Sequence, residues 1–200
     1  YVQYVEKFAD LPPGCELNES VIDSKKGKSL KEKLELFYVG GIGGLYDIEK
    51  LLQIVSRLDF VNLTVCCREN EWIANKVRYQ RYLKGNIEII HKSGKELDDY
   101  YKKADISLLY FASEGYRSFA MPVKLFEYMG NITPIIATKG SAAGEFVEKN
   151  DIGWNILYND DSLEKLLLQL HQDRRLLIDK RDNLVSAIAK NTWNARAMQV

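Results

Sequence analysis

The sequence predicts an α/β fold in which one parallel sheet of about six strands has helices on both faces and a helical tail after it. Three observations support this prediction. Short apolar runs of strand length alternate with stretches of helical periodicity from residue 34 onward, these stretches are long enough to cross over between strands, and only helical patterns follow Asp160. Strands and helices that alternate in this way connect by right-handed crossovers, which makes the sheet parallel. We therefore predict a Rossmann-like, doubly wound domain.

Each element of this prediction comes from a local pattern. The predicted strands are Leu34–Val39, Asn62–Cys67, Ile87–Ile90, Ile106–Tyr110, Pro134–Ala137 and Gly153–Leu157. The predicted helices between them are Tyr46–Leu58, Glu69–Leu83, Lys95–Lys103, Val123–Met129 and Ala142–Lys149. The tail is predicted as three helices, Leu163–Leu170, Leu176–Ala189 and Thr192–Met198. Ser162 marks the start of the first tail helix, because a serine before an apolar periodic run is a typical helix start.

The composition excludes several classes of protein. Two hundred residues with 46% hydrophobic side chains fit one domain with a full apolar core. The 28 basic side chains balance the 28 acidic ones, so no overall field favours nucleic acid or an anionic membrane. No apolar run has the length of a membrane span or the form of a signal peptide. The chain has three cysteines, Cys15, Cys66 and Cys67, and their spacing is not that of a metal site. We therefore predict unpaired thiols, no bound metal and a cytoplasmic setting.

The first part of the chain differs from the rest, and we divide the chain into an entry segment, 1–33, and a domain, 34–200. The entry segment has a turn cluster, Leu11–Gly14, and a basic stretch, Lys25–Lys28. A solvated linker is the simpler interpretation, and a membrane-facing basic patch is the alternative. The sequence begins at Tyr1 rather than at methionine, which suggests a piece of a longer protein.

A glycine-rich loop follows the first predicted strand. Ligands of open parallel sheets bind beyond the carboxyl ends of the strands, so this loop is a candidate site. Gly40, Gly41, Gly43 and Gly44 can bring the backbone close to a ligand, with amide N–H groups facing an anion at the helix start. The spacing is not that of a dinucleotide-binding motif, and no phosphate-loop lysine follows. The loop is either a phosphate or sugar contact or a plain tight turn.

The helix that begins near Pro122 is the second candidate. Proline suits the first turn of a helix, where Val123 and Lys124 would present free amides and a cation to a diphosphate. Glu127 lies three residues beyond Lys124 on the same face, where its carboxylate can accept two hydrogen bonds from a ribose diol. The alternative is a Lys–Glu surface pair on an amphipathic helix.

A third candidate loop follows the strand Ile87–Ile90. His91 and Lys92 stand there at a strand end, where a loop can border a flat base. A structural role for the histidine is the alternative. The segment Lys139–Glu145, after the fifth strand, contains small residues that permit close approach to the Pro122 helix or form a structural turn.

In this order, these motifs resemble the C-terminal, donor-binding domain of GT-B glycosyltransferases, and they are most similar to the retaining family 4 enzymes. The most specific part is the run Met121–Gly130 followed by Thr133–Thr138. The resemblance is supported by Phe37–Gly40, Lys103–Ile106, Glu145–Val147, Gly153, Leu11–Leu17 and Trp193.

The resemblance implies that the chain binds a nucleoside diphosphate sugar, with UDP or GDP as the nucleotide and without a metal or another cofactor. It implies that Glu127 binds the ribose, that the His91–Lys92 loop borders the base, and that the amides around Val123 and Lys124 contact the diphosphate. Gly40, Gly41, Gly43 and Gly44 would lie beside the phosphates and the transferred sugar.

The resemblance also implies what the chain leaves to the rest of a longer protein. The acceptor, a glycan or glycolipid of polysaccharide biosynthesis, would be held by an N-terminal domain that carries the catalytic residues. Lys124 is the one catalytic candidate in this chain, so the isolated chain is expected to bind the donor but not to turn it over. A peripheral contact with the inner face of a membrane is a further expectation.

The sequence departs from the family at two places. Phe119 occupies a position where the family often has a second glutamate that contacts the donor sugar. Gly41 and the pair Tyr46–Asp47 occupy the region of a common arginine and lysine, so Lys124, with Arg117 or Arg68, would have to neutralise the diphosphate. Two alternatives remain open: a nucleotide-sugar 2-epimerase of the same fold, and a non-catalytic interaction module in which the glycine loop is only a turn.

Overall fold

The computed structural model describes residues 11–26 and 32–199, and a six-stranded parallel sheet organises them. The strands are β1 (Leu34–Val39), β2 (Val61–Cys66), β3 (Ile87–Ile90), β4 (Ile106–Leu109), β5 (Ile135–Thr138) and β6 (Gly153–Ile156). Their order across the sheet is β3-β2-β1-β4-β5-β6, and each neighbouring pair is parallel. The strand order reverses between β1 and β4, which creates a topological switch point at their carboxyl ends.

Helices cover both faces of this sheet. In the described residues they are α1 (Glu19–Lys26), α2 (Glu49–Val55), α3 (Glu69–Tyr79), α4 (Asp98–Lys103), α5 (Tyr116–Phe119), α6 (Val123–Gly130), α7 (Ala142–Lys149), α8 (Asp160–Gln172), α9 (Arg175–Asn191) and α10 (Trp193–Ala197). Short 3-10 turns follow α3 and precede α4. None of the helices in the described ranges is long and apolar enough to cross a membrane.

The sheet separates two apolar cores, and alternate residues of each strand contribute to one core or the other. Phe37 of β1 belongs to the core that packs against α4, α6, α7 and α9. Its neighbour Leu36 belongs to the core that packs against α2 and α8. Because both faces of the central strands β1, β4 and β5 are buried, these strands are nearly continuous apolar runs, as expected for a parallel sheet. The predicted fold class is confirmed.

The predicted element boundaries needed small corrections, and local hydrogen bonds explain the largest of them. The helix predicted from Tyr46 begins at Glu49, because the chain first makes a turn and the Asp47 carboxylate then accepts the amide of Glu49 (2.8 Å). The first tail helix begins at Asp160 rather than near Ser162, because Asn159 is its N-cap and accepts the Ser162 amide (2.8 Å).

The described part of the entry segment is packed against the domain, so the solvated linker predicted there is wrong for residues 11–26. Helix α1 was not predicted, and its Val21 is fully buried. The buried Lys25 ammonium donates hydrogen bonds to the carbonyls of Tyr101 and Ala104 at the end of α4. A cation at this helix end interacts favourably with the helix dipole. The rest of the basic stretch, residues 27 and 28, lies outside the described residues.

The three cysteines are unpaired and buried, which leads to a labelling prediction. Burial raises the pKa of the Cys67 thiol to about 12 and also raises the pKa values of Cys15 and Cys66. Because only thiolates react quickly, we expect iodoacetamide to modify the native chain at neutral pH at least about 100-fold more slowly than the denatured chain. Mass spectrometry measures both rates, and denaturant should release 3 reactive thiols. Rapid modification of any cysteine in the native chain would contradict its burial.

Candidate functional site

The loops at the carboxyl ends of β1, β4 and β5 contact one another and surround the switch point. The ring of Tyr46, after β1, packs edge-on against Phe111, after β4, with 5.5 Å between the ring centroids. The hydroxyl of Ser113, in the same loop as Phe111, donates to the carbonyl of Lys139 after β5 (3.1 Å). The predicted candidate loops therefore form one rim, where ligands of doubly wound sheets bind.

The glycine loop after β1 makes a tight turn. Gly43 and Gly44 have φ values of 85° and 55°, in the left-handed region that favours glycine. The amides and carbonyls of Gly43 and Tyr46 pair across the turn, with N···O distances of 3.2 and 3.0 Å. A Cβ atom on Gly44 would meet no atom within 4 Å, so this side of the loop is open. These two glycines therefore form a tight turn, and its open side leaves room for a ligand.

Intramolecular bonds limit how the glycine loop could hold an anion. The Gly40 amide donates to the last carbonyl of β2 (3.0 Å), and the Ile42 amide donates to the Glu71 carboxylate (3.0 Å). Within residues 11–26 and 32–199, no acceptor was found for the amides of Gly41 and Gly44. These two amides are the loop donors that a ligand could use.

The N-terminus of α6 is open in the way that anion binding requires. Pro122 is the N-cap, in an extended conformation, and not a residue of the first turn as predicted. Helix geometry leaves the amides of Val123 and Lys124 without intrahelical acceptors. Proline has no side-chain acceptor to cap them, and the first turn contains no acidic residue. Val123 is 64% exposed, so a ligand can reach this end of the helix.

The carboxylate of Glu127 is held from two sides. One oxygen, Oε1, accepts a hydrogen bond from the Tyr101 hydroxyl (2.7 Å). The other, Oε2, pairs with the ammonium of Lys124, one helical turn earlier. The Lys–Glu pair that was the alternative prediction is therefore present. The Glu127 side chain remains 31% exposed, so the pairing leaves the carboxylate accessible.

Tyr128 fixes α6 to the end of β1. Its buried hydroxyl accepts the amide of Val39 (2.9 Å) and lies 3.2 Å from the Val39 carbonyl oxygen. Burial raises the pKa of Tyr128, so this hydroxyl stays protonated. Val39 is the last residue of β1 and Gly40 follows it, so the Tyr128 contact brings Glu127 and the glycine loop to the same edge of the sheet.

The loop after β3 lies at the same edge. The Nδ1 atom of His91 is 2.9 Å from the carbonyl oxygen of Cys67, which orients an otherwise exposed ring. Lys92 forms an exposed ion pair with Glu96 (3.0 Å), and its carbonyl accepts from the buried Cys66 thiol (3.2 Å).

The Cys66 thiol belongs to the same apolar core as the buried residues of α6. Burial raises its pKa, and the charges of Lys124 and Glu127 shift the pKa in opposite directions. The loop after β3 is therefore hydrogen-bonded to a residue of the core that α6 covers. In the part of the chain that the structure describes, no group of His, Cys, Asp and Glu side chains could hold a metal ion.

The family model described as "Glycosyl transferases group 1" matches residues 34–173. The chain belongs to the group 1 glycosyl transferases. Among curated protein sequences, none matches this group 1 glycosyl transferase.

Solved structures share the fold of this group 1 glycosyl transferase. A glycosyltransferase from Rickettsia africae has a TM-score of 0.74 and 13% identity, over 97% of this chain and 55% of that one. The Anabaena protein HepE in complex with UDP has a TM-score of 0.71 and 12% identity, over 90% and 50%. Sucrose-phosphate synthase from Thermosynechococcus elongatus has a TM-score of 0.68 and 18% identity, over 99% and 54%.

The comparisons confirm two parts of the predicted resemblance, the glycosyltransferase family and the fold. The family and the fold are those of GT-B glycosyltransferases. The retaining family 4 subtype stays a prediction, and nothing in the comparisons favours the epimerase or the interaction module. The chain spans about half the length of the solved structures that it matches.

The two arginines that were predicted to neutralise the diphosphate, and Phe119, at which the sequence departs from the family, lie in different surroundings. Arg68 is 82% exposed and 3.5 Å from Glu71. Arg117 has no carboxylate partner in the described ranges. Burial raises the pKa of Tyr158, and the charge of the nearby Arg117 partly opposes this change. Phe119 is 70% exposed. Arg117 is therefore the freer of the two arginines that were predicted to neutralise a diphosphate.

Sequence reasoning missed Tyr101, whose hydroxyl donates a hydrogen bond to the Glu127 carboxylate. Its hydroxyl reaches a residue 26 positions later in the chain, and no motif connects the two. The only signal is its position in the predicted helix Lys95–Lys103, which implies burial but not the direction of its hydroxyl.

Proposed function

We propose that this chain is the donor-binding half of a two-domain glycosyltransferase that moves a sugar from a UDP-sugar or GDP-sugar to an acceptor hydroxyl. The observation that carries this proposal is the Glu127 carboxylate, held by Tyr101 and Lys124 beside the uncapped end of α6. Family membership supports the reaction class. HepE, which shares the fold, was solved with UDP and with UDP-glucose, and this supports the class of donor.

In this proposal, α6 binds the ribose and the diphosphate of the nucleotide. Glu127 accepts hydrogen bonds from the ribose diol, and the free amides of Val123 and Lys124 bind the diphosphate at the positive end of the helix dipole. The leaving group gains negative charge as the glycosidic bond breaks. A cation and helix-terminal amides that are already in place stabilise this charge without a metal or another cofactor. Lys124 is therefore the catalytic candidate of this chain.

The surrounding loops complete the proposed donor site. The open amides of Gly41 and Gly44 lie beside the phosphates and the sugar, and Gly40 and Gly43 shape the loop. The loop of His91 and Lys92 borders the base, with the imidazole ring oriented by a backbone carbonyl. Arg117 is the proposed second cation because Arg68 is exposed and close to a carboxylate.

We propose that residues 1–33 connect the donor domain, 34–200, to an acceptor domain that binds a glycan or glycolipid of polysaccharide biosynthesis, as in retaining family 4 enzymes. The isolated chain would then bind the donor without transferring its sugar. Three unpaired cysteines fit the reducing cytoplasm, where we place the enzyme, in peripheral contact with the inner face of the membrane.

Calorimetric titration with UDP and GDP tests the donor site. We expect one of the two nucleotides to bind, and Glu127→Gln to weaken that binding about 10- to 100-fold, because hydrogen bonds to a charged group are lost. The matched control is Glu164→Gln. Glu164 pairs with Arg57 on the other face of the sheet, so this variant should bind like the parent chain. Absence of heat with both nucleotides, or equal affinities of the Glu127 and Glu164 variants, would contradict the proposal.

A further inference from the structure

Both oxygens of the Glu127 carboxylate already have a protein partner, and the partners differ in kind. Lys124 is a flexible cation, 35% exposed, on the same helix. Tyr101 is a neutral donor on α4, and it reaches Oε1 at 2.7 Å from a position that is only 2% exposed. A flexible surface cation leaves a carboxylate free to turn, whereas a buried hydroxyl at fixed distance defines its direction.

Tyr101 itself is immobilised from several sides. Its ring packs edge-on against Phe37 of β1, with 5.0 Å between centroids, and also contacts Tyr128 at 6.3 Å. The ammonium of Lys25 donates to the Tyr101 carbonyl and so ties α4 to the entry helix α1. Burial strongly raises the pKa of Tyr101, so its hydroxyl stays protonated and can donate.

The geometry leaves acceptor sites free on both oxygens. Each carboxylate oxygen has two lone pairs, and Tyr101 and Lys124 each occupy one. One lone pair therefore remains on each oxygen, which matches the two hydroxyl donors of a cis-diol. The direction of both remaining lone pairs depends on the plane of the carboxylate, and Tyr101 is the immobile group that sets this plane.

We propose that Tyr101 is a positioning residue for the ribose of the nucleotide donor: its hydroxyl orients the Glu127 carboxylate so that both ribose hydroxyls are accepted at once. This inference rests on the proposed function, since it assumes that Glu127 binds a ribose. It gives α4 a part in the discrimination between ribonucleotides and 2′-deoxyribonucleotides. A correctly oriented carboxylate accepts a hydrogen bond from the second ribose hydroxyl, and this bond increases the affinity for the ribonucleotide.

Calorimetric titration of the full chain and of Tyr101→Phe with UDP and with 2′-deoxy-UDP tests this role, with GDP and 2′-deoxy-GDP for a chain that prefers guanine. We expect the unmodified chain to bind the ribonucleotide about 10-fold more tightly than the deoxy form, because one hydrogen bond to a charged group is lost. Tyr101→Phe should weaken ribonucleotide binding about 5-fold and deoxynucleotide binding less, so that the ratio of the two affinities falls.

Tyr79→Phe is the matched control. Tyr79 is also fully buried and also donates to a carboxylate, that of Asp47 (3.1 Å), but it belongs to the other core. This variant should keep the ratio of affinities of the unmodified chain, although it loses a similar hydrogen bond.

The outcomes separate the inference from the function on which it rests. A ratio that Tyr101→Phe leaves unchanged, whether both affinities fall together or neither falls, would overturn the positioning role and leave the donor site intact. If the unmodified chain binds neither nucleotide, the proposed function fails and the positioning role fails with it. A ratio lowered by Tyr101→Phe but not by Tyr79→Phe supports the inference.

Discussion

Replacing Asp105 with alanine is expected to lower the free energy of unfolding by about 3–5 kcal/mol. Asp105 is 5% exposed, and its carboxylate faces the guanidinium groups of Arg174 (3.6 Å) and Arg181 (3.2 Å) and accepts the Glu35 amide (3.0 Å). Burial lowers the pKa values of both arginines, and the negative charge of Asp105 opposes this change. Without the carboxylate, the fold has to bury two like charges next to each other.

Urea denaturation followed by circular dichroism measures this loss. Asp161→Ala is the matched control, because Asp161 forms an ion pair with Lys165 in which both side chains are more than three-quarters exposed (79% and 77%). An exposed pair of this kind contributes about 0.3–0.5 kcal/mol. A loss below about 1 kcal/mol in Asp105→Ala would contradict this role of the buried carboxylate.

Replacing Gly153 with alanine is expected to destabilise the fold by about 3 kcal/mol, the upper end of the range for overpacked sites. A Cβ atom on Gly153 would lie 1.9 Å from the carbonyl oxygen of Ile135 and 2.7 Å from its backbone carbon and nitrogen. These are atoms of the neighbouring strand and cannot move like a side chain. The pairing of β5 with β6 would have to shift.

Gly41→Ala is the matched control for this substitution. A Cβ atom on Gly41 would be 3.4 Å from its nearest neighbour, a Glu71 carboxylate oxygen, and the Gly41 backbone is outside the left-handed region. Its stability should change by less than about 1 kcal/mol, since alanine also reduces the entropy of the unfolded chain. Thermal unfolding compares the two variants. Equal melting temperatures would mean that β6 accommodates the extra carbon without cost.

The sheet could be predicted from the sequence because its central strands β1, β4 and β5 are buried on both faces. Runs such as Leu34–Val39 are apolar at nearly every position, and a local pattern is enough to identify them. Helices α1 and α5 could not be predicted in this way. The position of α1 depends on Val21 and on the contact between Lys25 and α4, which are tertiary interactions.

The candidate site shows the same division between local and tertiary information. Glu127, Lys124 and the open end of α6 could be found because they lie within one helix after a proline. Tyr101 could not be found, because its role depends on a contact between two helices. The glycine loop was interpreted only in part. Its composition predicted the turn, but the Glu71 carboxylate that occupies the Ile42 amide comes from α3.

A crystal structure of the chain with bound UDP would test the donor site most directly. We expect the ribose hydroxyls within about 2.5–3.0 Å of the Glu127 carboxylate oxygens, and the diphosphate within about 3.2 Å of the Val123 and Lys124 amides. A nucleotide bound away from the β1–β4 edge, or one whose ribose makes no contact with Glu127, would contradict the donor site proposed for this chain.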